Sequence, residues 1–134
     1  MMSDSYANPY YNPEPYVPET LSEINDFLAG LIGGAPTFVD DTGFFPNRNI
    51  DTQFAVLTAA FEKVRGKLGE ERHATLIDLA ARTKALFLAD PNDDNGKTLE
   101  GCKLIWEIED IIQDARKRRV KAKLKDDEGE VTGD

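Results

Sequence analysis

The chain has 134 residues, 40% of them hydrophobic and 31% charged, with a formal net charge of −9. That is one domain's worth of chain, with apolar material for a single modest core. No apolar run reaches the roughly 20 residues that span a bilayer, and the N-terminus lacks the basic and apolar regions of a secretory signal. The lone cysteine, Cys102, cannot form an internal disulfide, which fits a reducing compartment, and a cytoplasmic location is expected.

Residues 1–19 carry all four tyrosines, Tyr6, Tyr10, Tyr11 and Tyr16, and four of the seven prolines. Proline fixes its own φ and pushes its predecessor toward extended conformations. An extended arm is therefore expected here, either a solvated tail or a strap laid along a partner. Tyrosine offers contact area at low entropic cost, so Tyr10, Tyr11 and Tyr16 are candidate partner-binding residues.

Thr20 to Glu23 reads as a capping box, with the Thr hydroxyl on the Glu23 amide and Glu23 reaching back. Leu21, Ile24, Phe27, Leu28 and Leu31 then follow at helical spacing until Gly33 and Gly34, predicting a short helix. Residues 33–50 lack that periodicity, and Phe38, Val39, Phe44 and Phe45 around DDTG predict a packed loop or small hairpin that caps the core. From Asp51, the stripe Phe54, Leu57, Phe61, Val64 and Leu68 predicts a helix ending near Gly69. A further helix is expected from about Glu70 to Ala89, with Leu76, Leu79, Ala80, Thr83, Leu86 and Phe87 inward. The last starts near Thr98 and turns Cys102, Ile105, Ile108, Ile112 and Ala115 to one side, broadened by Leu104 and Ile111. Trp106, beside Ile105, is expected at least partly against the core.

The expected fold is thus all-α: a bundle of three long helices plus a short N-terminal one, carrying the Tyr/Pro-rich arm. The expected divisions are the arm over 1–19, the helical domain over 20–118 and a charged tail over 119–134.

ADPNDDNGKTLEG, residues 89–101, looks most like a site. A calcium loop of the EF type with Gly96 at its sixth position would place Pro91 first and Cys102 twelfth, where oxygen ligands are required. A phosphate loop would need glycine at 91 and a preceding strand, and Asp90, Asp93 and Asp94 would repel the phosphate. The stretch is therefore predicted to be a turn between helices, with Asn95 and Gly96 at positive φ and Thr98 as the next N-cap.

His73 is the only histidine and is far in sequence from Cys102, so a Cys/His nucleophile is not expected. Cys102 on the inner face reads as a small core residue. No catalytic residue, metal or cofactor is expected, and the chain is not read as an enzyme.

Charge is unevenly placed. Residues 1–115 hold 20 acids and nine bases, residues 116–125 seven bases and no acid, and residues 126–134 five acids and no base. An acidic body argues against general binding to nucleic acid or anionic membrane and suits a basic protein partner. On the last helix Glu100, Glu107, Asp110 and Asp114 recur near one face with Glu109 adjacent. They form either a solvated surface or a negative stripe that docks on a basic pocket.

The block from about Ile50 to Arg116, with LIWEIEDII in its last helix, resembles the small all-helical immunity proteins that neutralise type VI secretion toxins. The resemblance covers half the chain. It implies a cytoplasmic inhibitor that occludes the active site of a toxin domain, and it assigns no residue a role. The alternative reading is a viral or assembly adaptor whose N-terminal arm wraps a neighbouring subunit.

Overall fold

A computed structural model describes residues 16–39, 42 and 47–122. Among them the fold is all-helical, with five helices: α1 (Leu21–Gly34), α2 (Ile50–Lys63), α3 (Arg65–Leu68), α4 (Glu70–Leu88) and α5 (Lys97–Lys121). Tyr10, Tyr11, Phe44, Phe45 and the tail beyond residue 122 lie outside the described residues.

α1 is capped as the sequence requires at one end of the box only. The Glu23 N–H donates to Thr20 Oγ1 at 3.0 Å, but Glu23 reaches past Thr20 and accepts from the Glu19 N–H at 2.9 Å. Leu21, Ile24, Leu28 and Leu31 are buried. Residues 16–19 join this body: Pro18 is buried, Val17 packs against the core, and Lys63 Nζ lies 3.0 Å from Glu19 Oε2.

The stripe from Phe54 to Leu68 is buried throughout, yet it does not belong to one helix. Val64 leaves the helical region at φ −104°, ψ 14° and ends α2. α3 adds a single turn before Gly69, whose φ of 86° turns the chain into α4. This corrects the single helix expected up to Gly69. Hydrophobic spacing survives the break because the turn resumes almost in register, with the Leu68 N–H on Val64 O at 3.1 Å.

α5 packs chiefly against α4 and then against α1. Its Ile105, Ile108 and Ile112 are 0% exposed, so it is the central helix. Phe87 of α4 fits against it where α5 has no side chain, since a Cβ built on Gly101 would sit 2.5 Å from Phe87 Cε1. The other side of Phe87 meets Phe38 and Phe54 edge-on, with ring centroids 5.5 and 6.1 Å away. Phe38 caps the core, holding φ 64° against the steric preference of a bulky residue. Its N–H bonds to Gly34 O at 2.9 Å. Val39, expected to join it, is exposed, and Leu86 is only half-buried. Helical geometry also persists past residue 118, the expected end of the helical domain, to Lys121.

Candidate functional site

The turn after α4 is built around one carboxylate. Asp90 is 0% exposed, and its Oδ1 accepts the N–H of Asp94 at 2.8 Å and of Asn95 at 3.2 Å. Its Oδ2 accepts the N–H of Thr98 at 2.9 Å. Burial opposes ionisation of this carboxyl, but the N–H groups of Thr98, Asp94 and Asn95 together with the Thr98 hydroxyl outweigh it and hold its pKa below the usual carboxylate value. Asp90 therefore does what Thr98 was expected to do. The N-cap position itself is Gly96, with no side-chain bond, and Thr98 Oγ1 donates back to Asp90 O at 3.2 Å. The positive φ values fall on Asp93 and Gly96, not on Asn95. Asn95 instead bridges the turn, its Nδ2 on Ala89 O and its Oδ1 on the Lys97 N–H, each at 3.0 Å. With its most central carboxylate spent on backbone amides, the loop is a structural turn. Among the described residues no three His, Cys, Asp or Glu side chains converge as metal ligands.

His73 is 8% exposed in the first turn of α4. Its Nε2 lies 3.3 Å from Glu62 Oε1 without hydrogen-bond geometry. Cys102 is buried, and burial, followed by the charge of Asp93, raises its thiol pKa. A thiol held protonated is a poor nucleophile.

The acidic residues of α5 divide into unlike groups. At 100° per residue, Glu100, Glu107, Asp110 and Asp114 share the outer side, and Glu100, Glu107, Asp110 and Asp114 are exposed. Two bases lie among these acids. Lys103, three residues after Glu100 and four before Glu107, is exposed on the same side. Asp114 Oδ2 accepts from Arg72 Nη2 of α4 at 3.1 Å. Glu109 points elsewhere and is half-buried, and burial, followed by the charge of Asp110, raises its pKa.

What the sequence reading missed is the apolar part of this surface. Trp106 is 45% exposed and Leu99 is 54% exposed. They are seven residues apart and so lie one above the other on α5. Glu109 and Asp110 follow Trp106 at i+3 and i+4, one on either side of its line. Reading Trp106 by its position on the helical wheel, about 100° from Ile105, rather than by its chain neighbour would have shown it off the buried seam. Beside this surface a groove of about 400 Å³ between α4 and α5 is lined by Glu71, Arg72, Thr75, Asp110, Ile111 and Asp114. Half-buried Ile111 supplies an apolar element and three carboxylates a negative rim.

Of the candidate arm residues only Tyr16 is described. It is 59% exposed, but its hydroxyl donates to Glu23, and that bond followed by burial raises its pKa. No helix among the described residues is long and apolar enough to cross a membrane. No family model matches the chain, and no curated protein or solved structure matches it either.

Proposed function

We propose that the protein is a non-catalytic binding module, a cytoplasmic inhibitor of the immunity or antitoxin type, that covers a basic toxin domain with the outer side of α5. The observation that carries this reading is the half-exposed indole of Trp106, stacked in line with Leu99 and flanked by Glu109 and Asp110. An exposed tryptophan is the residue type most enriched at the energetic centres of interfaces. Carboxylates around it select a basic partner and speed its approach. Glu107, Asp110 and the groove beside them extend the negative rim, while Glu100 lies at the N-terminal end of the same side. On this reading α2 and α3 together count as one of three long helices and α1 as the short N-terminal one, with the Tyr/Pro arm ahead of it in sequence.

The adaptor reading depends on the arm, of which only Tyr16 lies among the described residues, whereas the inhibitor reading has the exposed Trp106 and Leu99 behind it. Nucleic acid and membrane are not proposed as partners, because Lys103 is the only base among the outward acids from Glu100 to Asp114.

The test is co-expression with a toxin domain encoded beside this chain. Protection should be lost in Trp106→Ala and in the double reversal Glu107→Lys with Asp110→Lys, with circular dichroism and melting unchanged. Protection that survives both changes, but fails when residues 1–15 are removed, would transfer the function to the arm.

A further inference from the structure

The groove between α4 and α5 combines an apolar element with charge from both helices. Half-buried Ile111 supplies the first, and the exposed Glu71 of α4 stands across from Asp110 and Asp114 of α5. Arg72 lines the same groove and is neutralised there, its Nη2 donating to Asp114 Oδ2 at 3.1 Å and its Nη1 to Leu68 O at 3.2 Å. With that pair cancelled, Glu71 and Asp110 remain, and among the described residues neither has a cation partner. The groove therefore keeps two carboxylates, one from each helix, beside one isoleucine. Asp110 also links the groove to Trp106. It follows Trp106 by four residues, about 40° further round α5 and one turn along it. A partner element that covers the indole thus passes the opening of the groove.

We infer that this groove takes a single arginine side chain of the partner. The inference rests on the reading of the outer side of α5 as a docking face for a basic protein, and it names the residue type that this face selects. Arginine has an apolar stem and a charged head, so the stem lies on Ile111 and the head between Glu71 and Asp110. A guanidinium carries its donors in a planar fork that can bond carboxylates on two walls, whereas a lysine ammonium is a compact, strongly hydrated point charge. The chain's own Arg72 shows the mode, reaching from α4 to a carboxylate of α5. At about 400 Å³ the groove is near the small end of ligand pockets, roughly 300–1,000 Å³, which suits one long side chain. A metal ion is the poorer occupant, because no three ligand side chains converge among the described residues.

The test is a titration of the full chain with N-acetyl-arginine amide and with its lysine and citrulline counterparts, at constant ionic strength, followed by amide chemical shifts. Citrulline keeps the shape of arginine without its charge. The arginine compound should saturate, with shifts centred on residues 71–75 and 110–114. The lysine compound should bind more weakly, and the citrulline compound should not saturate. Glu71→Gln and Asp110→Asn should each weaken arginine binding by about threefold or more, as the loss of one exposed ion pair does. Arg72→Gln removes a like charge and frees Asp114, so it should tighten binding. Asp26→Asn makes the same charge change on α1 and should leave the affinity unchanged. Circular dichroism establishes that each variant is folded. An arginine titration that never saturates overturns the inference, as does lysine or citrulline binding as tight as that of arginine. An Asp26→Asn effect equal to that of Asp110→Asn also overturns it, by reducing the binding to the general field of the molecule. The inhibitor reading fails separately, through a Trp106→Ala chain that still protects, and that result leaves the arginine titration standing.

Discussion

Asp90 caps α5 from eight residues away, and the sign of its pKa shift makes that role measurable. Its folded pKa lies below its unfolded value, near 3.9 for a free Asp, so across that window the unfolded chain binds more protons. Stability then rises with pH and is lost as pH falls through the folded pKa. Asp90→Asn should lower the melting temperature at neutral pH and flatten the acid limb of the stability curve. Asp93→Ala and Asp94→Ala should leave that limb nearly unchanged. Equal acid limbs in wild type and Asp90→Asn would refute the assignment. Gly101 poses the opposite kind of problem. Replacing it with Ala in a helix interior gains roughly 1 kcal/mol of intrinsic propensity. The new Cβ, however, meets a Phe87 ring that is 1% exposed and locked between Phe38 and Phe54. Overpacking costs about 1–3 kcal/mol, so Gly101→Ala should be net destabilising, with a lower denaturant midpoint.

At the scale of elements, the joint between α2 and α4 is the part least like an ideal helix. Val64 departs from helical dihedrals, α3 makes one turn, and Gly69 holds φ 86° with open space where a side chain would go. Gly69→Ala therefore tests backbone conformation with no steric contact, and it should cost about 1–2 kcal/mol. A substitution with no effect on the denaturant midpoint would mean that the corner relaxes away from the left-handed region. The same corner sets Lys67 and Arg72 opposite Arg118 and Arg119, so the chain direction imposed at Gly69 also brings sequence-distant side chains together. On α5 the division is between sides of one helix: isoleucines at 105, 108 and 112 inward, Trp106 and Leu99 outward. Because the outward pair is half-exposed, Trp106→Ala should change stability by less than about 1 kcal/mol, since surface substitutions do little.

For the whole molecule, one core joins all five helices, and Leu57 on α2 and Ile108 on α5 are 0% exposed within it. Leu57→Ala and Ile108→Ala should each destabilise the bundle by about 2–4 kcal/mol, the usual cost of a large-to-small change in a packed interior. A denaturant midpoint unchanged within error would remove either residue from the core. Ion pairs such as Lys84–Asp51 and Lys63–Glu19 join sequence-distant segments at the surface. Exposed pairs of this kind contribute little each, so added salt should shift the melting temperature only slightly.

Residue spacing by itself determined the all-helical class, the buried stripes and the inward side of α5, because burial of apolar side chains at 3.6-residue periodicity is a local pattern with one economical solution. It also showed that 89–101 does not match the spacing of an EF-type calcium loop or a phosphate loop, since ligand positions in such loops are set by short-range backbone geometry. Spacing alone did not decide which side chain caps α5, that Asp114 is neutralised by Arg72, that Lys67 and Arg72 meet the basic run, or that Phe87 needs a glycine at 101. Each of these depends on residues brought together across the chain, where energy comes from packing and charge at distances that sequence order does not encode. Trp106 lies between the two cases. Its helical angle was legible, but its exposure was decided by where α1 and α4 stop covering α5.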